Sequence, residues 1–427
     1  MLARNRRLPG LLGRLLNPRT ILAAGPIFTS VANFVMSIST VKHLSAAEYG
    51  FLAFSLTLQQ LGFNLVNALG GMPASLVLND SKVIDRRTLH AIGKVIIFAS
   101  WAGGAIVAAC GASFHVQIWG AVTLGVSTLI GLGRWYLRLL SYAEHRPQAS
   151  LQSDAIYSVA MVAGVGLMLF THGLSLRTAA AIVLLANLAA LTSFLRKNSI
   201  AELLAAVRAP LAPYLPVWSE HSRWTLASAV ATELTANAHV YLVTLGVGPH
   251  AFAPLAVATL LWRPTATIYT SLLQLERPAM ARHLSAGELD KAVGLQSTIR
   301  VTIGAAWLAN LAAVGMVFFV FYHQLIGPSY DRRTVALAMV FYGGVMACRA
   351  WRVPETVFVQ AARQTRRLAQ ASLFTAPISL VLAAALTFVA GPVFSLLGII
   401  VGDSLMGVRI GRLAAEARKK GVVPSVT

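Results

Sequence analysis

Twelve runs of mostly apolar residues, each about twenty long, fill this chain and leave only short basic segments between them. Wound as a helix at about 1.5 Å per residue, such a run crosses about 30 Å of hydrocarbon. Inside lipid every backbone N–H and C=O must find a partner within the protein, so these runs must be helices. They lie at about 20–42, 51–76, 92–112, 116–138, 151–171, 175–195, 223–246, 251–275, 299–322, 333–352, 370–391 and 393–411. Composition agrees: the 427 residues are 56% hydrophobic and 12% charged, with a mean hydropathy of +0.68. The expected fold is an all-α integral membrane protein of about twelve transmembrane helices. Gly391-Pro392 is the only separator of the last two runs, which leaves open a re-entrant pair.

The lysines and arginines set the orientation. With the N-terminus inside, thirty of the 35 fall in inner segments and four outside (Lys42, Arg177, Arg332 and Arg333), while Arg263 lies within a span. This bias follows the positive-inside rule. It predicts a multi-pass membrane protein with both termini cytoplasmic. The net charge of +20 sits in short loops, where topology and anionic lipids account for it and no nucleic-acid partner is needed. Residues 1–19 are basic, interrupted by Pro9 and Pro18, and lack the form of a cleavable signal peptide. The two cysteines, Cys110 and Cys348, lie in apolar runs and support neither a disulfide framework nor a metal site.

The widest internal break, 196–222, contains Pro210, Pro213 and Pro216, which prevent one continuous helix. It divides the spans six and six. The expected organisation is a basic cytoplasmic segment (1–19), an N-terminal six-helix bundle (20–195), a Pro-containing cytoplasmic linker (196–222), a C-terminal six-helix bundle (223–412) and a basic cytoplasmic tail (413–427). The two halves open alike, each with a polar-spotted helix, a short turn and an Ala/Leu/Phe-rich helix. Tyr49-Gly50-Phe51-Leu52-Ala53 lines up with His250-Ala251-Phe252-Ala253-Pro254. Halves with even span numbers would run parallel, as in transporters built from repeats. General likeness among apolar helices is the competing explanation.

Polar residues inside the spans fall into stripes. Thr29, Asn33, Ser37 and Thr40 share one face of span one, and Gln60, Asn64 and Asn67 share one face of span two, with Gln59 beside it. Span seven carries Glu233, Asn237 and Tyr241 at spacings of four. Span eight places Thr259, Thr267, Thr270 and Gln274 around Arg263, which Pro264 follows at once. A guanidinium in mid-bilayer costs at least about 2.5 kcal/mol and cannot shed its proton, so Arg263 must face a wet or polar interior. The stripes predict two bundles around a central hydrated cavity. Two alternatives stay open: Arg263 satisfied by a neighbouring helix without any substrate role, and Ser, Thr and Asn serving as helix-to-helix glue. Glu233 either pairs with Arg263 or takes up a proton or Na+ during transport. His239 falls toward the outer end of its span and is a weaker candidate. Arg134 and Arg138 close span four, and Arg349 and Arg352 close span ten. Each pair is either a snorkelling anchor or a basic mouth for an anionic headgroup.

No pattern of catalysis is present: no HExxH, no P-loop, no nucleophile elbow, and no outer loop large enough for a membrane glycosyltransferase. No cofactor is implied.

The segment 41–78 contains Ser45-Ala46-Ala47-Glu48-Tyr49-Gly50, a small-x-EYG turn between the first two helices. It ends in Gly70-Gly71-Met72-Pro73. In this it resembles the polysaccharide-transporter (Wzx-type) flippases, and residues 224–291 look like that family's second-half opening. The resemblance implies the multidrug/oligosaccharidyl-lipid/polysaccharide flippase fold. It further implies translocation of an undecaprenyl-pyrophosphate-linked glycan, with anionic lipids and polysaccharide polymerase or glycosyltransferase partners nearby. Basic cavity residues would hold the pyrophosphate, and Arg263 is of that type. Glu233 is not carried over from the family, and the two further spans usual in lipid II flippases are absent from this sequence. A cation-coupled small-molecule exporter of the same superfamily is the alternative.

The orientation is testable. In a variant with Cys110 and Cys348 replaced by Ala, an impermeant thiol reagent should label Gly173→Cys from outside intact cells. Ser219→Cys should react only after the membrane is opened; the reverse pattern would invert the assignment.

Overall fold

The computed structural model describes residues 18–80, 85–144, 146–195, 199–326, 329–362 and 364–419. Most of segment 1–19, the end of the basic tail, and Lys82, Arg196 and Lys197 lie outside these described residues. The described residues form helices and connecting turns with no strand.

By contacts the chain divides into two units. The first comprises 1–37 and 58–227, the second 38–57 and 228–427. The end of the first span and the start of the second thus belong with the C-terminal half, a division that differs from the expected cut at 196–222. In chain order the helices are α1 (Pro18–His43), α2 (Ala46–Val66), α3 (Met72–Asp80), α4 (Arg86–Ser113), α5 (Ile118–Ala143), α6 (Pro147–Phe170), α7 (Leu176–Leu191), α8 (Ser199–Arg208) and α9 (Tyr214–Val217). They continue as α10 (Arg223–Gly246), α11 (Pro249–Ser285), α12 (Leu289–Phe319), α13 (Tyr322–Leu325), α14 (Arg332–Ala361), α15 (Thr365–Val389) and α16 (Ser395–Lys419).

Seven of these, α4, α6, α7, α12, α14, α15 and α16, are long and apolar enough to cross a membrane. The chain is a multi-pass membrane protein. The other long helices, α1, α2, α5, α10 and α11, carry the polar stripes and the Arg134/Arg138 pair. The re-entrant alternative for the last two spans falls away. Helices α15 and α16 each have 25 residues, about 37 Å at 1.5 Å per residue. The turn between them is made by Gly391, whose φ of 113° is open to glycine, followed by Pro392 opening the next helical turn. Gly248-Pro249 repeats the device, with φ 114° at Gly248 before α11.

The turn that carries the family resemblance has a local physical cause. Ser45 Oγ donates to Glu48 Oε2 at 2.8 Å, the Ser45 N–H donates to the same oxygen at 3.1 Å, and the Glu48 N–H donates back to Ser45 Oγ at 3.3 Å. This is a capping box starting α2. Tyr49 is buried edge-on against Tyr330, and a Cβ on Gly50 would land on the Pro249 carbonyl oxygen. Each residue of Ser-x-x-Glu-Tyr-Gly therefore has a structural task.

In the first unit, α1, α6 and α7 share a core of Ala32, Met36, Tyr157, Met161, Val165, Ile182 and Ala186. Helices α4 and α5 meet glycine to glycine, since a Cβ on Gly104 would lie 2.7 Å from the Gly125 oxygen. Small residues let helix backbones approach this closely in lipid, where burial of apolar surface adds little. The second span continues beyond Val66 through a π-turn, Asn67–Gly71. Such a turn leaves carbonyls off the normal ladder. The linker and the first turn of α10 supply partners: Tyr214 Oη donates to Leu69 O at 2.9 Å and Thr225 Oγ1 to Ala68 O at 3.0 Å. The linker is more helical than its three prolines suggest. From Tyr214 it winds through a second π-turn, Trp218–Ser222, directly into α10, with Pro213 and Pro216 in the opening turn.

In the second unit α15 packs on α16 through Gly398, where a Cβ would lie 2.7 Å from Ala383 Cα. Trp262 Nε1 donates to Met339 O at 3.1 Å, Tyr269 Oη to Met346 O at 3.2 Å and Trp307 Nε1 to Gly343 O at 3.2 Å, fastening α11 and α12 to α14. Helix α11 has 37 residues, about 55 Å, well beyond the expected 251–275.

Two glycines of α16 should respond in opposite directions to alanine. Gly398→Ala forces α15 away and should lower stability by about 1–3 kcal/mol. Gly411→Ala, with open space around it, should be neutral or stabilising by up to about 1 kcal/mol. Thermal unfolding of the purified variants in detergent reads both.

Candidate functional site

The stripe on α10 centres on a break in the helix. Asn237 has φ −126° and ψ 15°, outside helical values. Around it, Glu233 Oε1 accepts hydrogen bonds from Asn237 Nδ2 at 2.7 Å and Tyr241 Oη at 2.8 Å. Glu233 is 5% exposed, so these donors, four and eight residues along the same helix, stabilise a carboxyl group removed from water. The break disturbs the ladder at Ala236, whose carbonyl accepts from Arg349 Nη2 at 3.1 Å.

Arg349 belongs to a buried ion cluster. Its Nε donates to Asp403 Oδ2 at 2.9 Å, and Arg352 Nη1 lies 3.0 Å from Asp403 Oδ1. Both arginines come from α14, three positions apart on one face, and Asp403 from α16. His239 sits in the same region with its ring 6.3 Å from that of Tyr342. It is 1% exposed, deep in α10, and neither ring nitrogen has a hydrogen-bond partner among the described residues.

The first unit holds a cluster of the same charge pattern. Arg134 Nη1 lies 3.4 Å from Asp154 Oδ1, and Arg138 Nε lies 3.0 Å from Asp154 Oδ2. Both arginines are 5% exposed and Asp154 is 1% exposed. Arg134 also donates to Ser153 Oγ at 3.3 Å and stacks over Tyr157 at 4.5 Å, while Arg138 lies over Trp135 at 4.5 Å. Tyr157 Oη in turn donates to Asn33 Oδ1 at 2.9 Å, so the cluster reaches the α1 stripe. A Cβ on Gly25 would collide with Asp154, which brings α1 directly over the carboxylate.

The contacts show how the four arginines are held. Arg134 and Arg138, expected as anchors or headgroup contacts, lie inside the first unit. They are core charges, each pair sharing an aspartate from another helix. Arg349 and Arg352, 17% and 19% exposed by side chain, are paired in the same way.

On α11 Arg263 is half-buried and Pro264 exposed. Thr259 and Thr267 are half-buried and donate to carbonyls four residues back, Leu255 O at 2.9 Å and Arg263 O at 3.1 Å. Thr270 is exposed and donates to Ala266 O and Thr267 O. The side chain of Gln274 lies outside the described residues. Leu261 and Trp262 are buried on the other side of the helix, but Ile268, expected with them, is 38% exposed. In α2, Gln59 is buried, Gln60 exposed and Asn64 half-buried, and Asn67 is exposed on the π-turn.

Several residues escaped the sequence reading. Asp154 and Asp403 are the counter-charges of the two clusters. Glu355 accepts from Gln296 Nε2 at 2.7 Å, Arg300 Nη2 at 2.7 Å and Arg418 Nη2 at 2.6 Å, tying together α12, α14 and α16. A carboxylate within an apolar run was the available signal for both aspartates.

No family profile matches the chain, and no curated protein matches it in sequence. Solved structures do match in fold. A multidrug resistance MATE family transporter of the MOP superfamily, in an inward-facing conformation, superposes with a TM-score of 0.66 at 12% identity, covering 96% of this chain and 100% of that one. The eukaryotic MATE transporter AtDTX14 gives 0.61 at 14% identity over 95% and 97%. The lipid II flippase MurJ, in an inward closed conformation, gives 0.57 at 10% identity over 94% and 90%. At these identities the likeness is one of fold: an all-α membrane fold shared with MATE transporters and with the flippase MurJ.

The ion clusters generate a prediction. Asp154→Asn leaves two buried guanidinium groups without a counter-charge and should cost about 3–5 kcal/mol. The triple variant Asp154→Leu, Arg134→Met, Arg138→Met, which removes all three charges together, should lose less. Equal melting temperatures for the two would argue against the cluster.

Proposed function

We propose that the chain is a flippase moving an undecaprenyl-pyrophosphate-linked oligosaccharide across the bacterial cytoplasmic membrane by alternating access, for exopolysaccharide or O-antigen assembly. The observation that carries this reading is Arg263, a half-buried guanidinium in mid-span, beside Pro264, on a helix with threonines along the same side. A fixed positive charge there suits a diphosphate, whose oxygens match the arginine fork. The polar residues Asn33, Gln60, Asn64, Asn67, Asn237, Thr267 and Thr270 are proposed to meet the glycan as it passes. The MOP-superfamily fold supports a transporter, and MurJ provides a flippase of lipid II on that fold. The small-x-EYG turn supports the polysaccharide branch. On this reading both termini are cytoplasmic, and anionic lipids and glycan-assembly enzymes are the partners.

A second reading, cation-coupled export of small molecules, draws on Glu233 with Asn237 and Tyr241 and on the likeness to multidrug MATE transporters. The central arginine weighs against it, because a cavity for cationic drugs would be acidic.

The test is transport by Arg263 variants. Loss of one charge-assisted contact to phosphate is worth about 1.5–3 kcal/mol, or about ten- to a hundredfold. Arg263→Ala should lower flipping of a lipid-linked oligosaccharide in proteoliposomes by that factor, and Arg263→Lys should recover only part. Normal surface glycan in both variants, together with drug resistance that depends on Glu233, would favour the exporter.

A further inference from the structure

Within the second unit a groove of about 360 Å³ lies between α10 and α15. Leu234, Ala238 and Leu242 form one wall and Leu380 and Phe388 the other, with Tyr241 among them. Leu234 is 38% and Phe388 65% exposed, so the groove is open along its length. Phe388 bounds it near the end of α10, where a Cβ on Gly246 would come within 2.9 Å of the phenyl ring.

Tyr241 belongs to two environments. Its ring lines this apolar groove, and its hydroxyl donates to Glu233 Oε1 at 2.8 Å beside Asn237. A single helix thus presents an apolar channel and, through one side chain, the edge of the polar stripe. The ligand complementary to that junction is an amphiphile whose polar group and long chain part at one point. A compact drug has no use for the channel.

We infer that this groove seats the polyprenyl chain of the lipid-linked substrate while the diphosphate and sugars occupy the polar side. The inference rests on the flippase reading and adds where the chain lies. Bulk lipid is as apolar as leucine, so transfer of a chain from bilayer to groove gains little hydrophobic energy. Shape does the selecting, through many weak contacts, and a branched isoprenoid fills an irregular channel in a way a straight acyl chain does not. The head group then supplies most of the affinity and the groove supplies discrimination, an effect of about three- to tenfold.

The experiment uses the full-length protein in lipid nanodiscs with p-benzoylphenylalanine at Leu234. Three probes are offered: undecaprenyl diphosphate, geranyl diphosphate and phosphatidylglycerol. Undecaprenyl diphosphate should cross-link in preference to phosphatidylglycerol. Filling the groove from either wall, by Leu242→Trp or Leu380→Trp, should lower retention of undecaprenyl diphosphate three- to tenfold and leave the short geranyl diphosphate unchanged. The two variants act on different helices, so one that does not fold leaves the other as the test, and the cross-link at Leu234 depends on neither. Equal cross-linking of undecaprenyl diphosphate and phosphatidylglycerol, or undiminished retention in the filled variants, overturns the assignment. If the unmodified protein retains neither diphosphate above phosphatidylglycerol, the flippase reading fails with it. If it retains both and filling changes nothing, only the groove assignment fails.

Discussion

An arginine in a low-dielectric interior keeps its charge, so the protein around it must supply the opposite one. Here that requirement is met twice by the same stoichiometry. Two arginines on one face of one helix share a single aspartate from another, as Arg134 and Arg138 share Asp154 and Arg349 and Arg352 share Asp403. Each cluster keeps one excess positive charge. Cation–π contacts with Tyr157 and Trp135 in the first, and the Ala236 carbonyl in the second, take up guanidinium faces and N–H groups that the aspartate cannot reach. Packing of α5 on α6 and of α14 on α16 is tied to these charges, because a shift of either helix would strand a buried ion.

The clusters also reach the first helix of each half. In the first unit the route is Arg134 over Tyr157 and from Tyr157 to Asn33 of α1. In the second it is Arg349 to Ala236, at the break in α10. The partner helices differ, since Asp154 stands on the fifth long helix and Asp403 on the last. The shared feature is an ionic core element bonded, directly or through one tyrosine, to a polar-striped helix near its middle. Glu233, Asn237 and Tyr241 flank that break on α10, so the geometry of the candidate site is tied to the Arg349–Asp403 pair of α14 and α16.

Much of the fold was legible because membrane insertion reads local sequence. Apolar runs of about twenty residues, Gly-Pro turns and the distribution of Lys and Arg locate the long helices without tertiary information. Spacing alone also revealed Glu233, Asn237 and Tyr241, because partners four and eight residues apart on one helix are a local pattern. The pairing of Arg134 with Asp154 was not legible in the same way. An arginine at the end of an apolar run looks identical whether it snorkels to the headgroups or turns inward, and the choice is made by a carboxylate on another helix. The π-turn at 67–71 was hidden for a similar reason. Its cost is offset by Tyr214 and Thr225, some 150 residues away in the sequence of the same unit.

Among the described residues seven helices are long and apolar enough to cross a membrane, and the long helices outside that set are informative. α1, α2, α10 and α11 fall short because of Asn, Gln, Thr, Glu and Arg along one side, and α5 because of its two arginines. A helix evolved only to fill a bilayer has no reason to carry these groups, each of which lowers its affinity for lipid. In α5 the burden is explained by Asp154. In α1 and α10 part of it is explained by Tyr157 and by the internal bonds of Glu233. The exposed Gln60 and Asn67 have no such account among the described contacts, and exposure of a polar side chain in a spanning helix is tolerable only where water or a polar ligand can reach it.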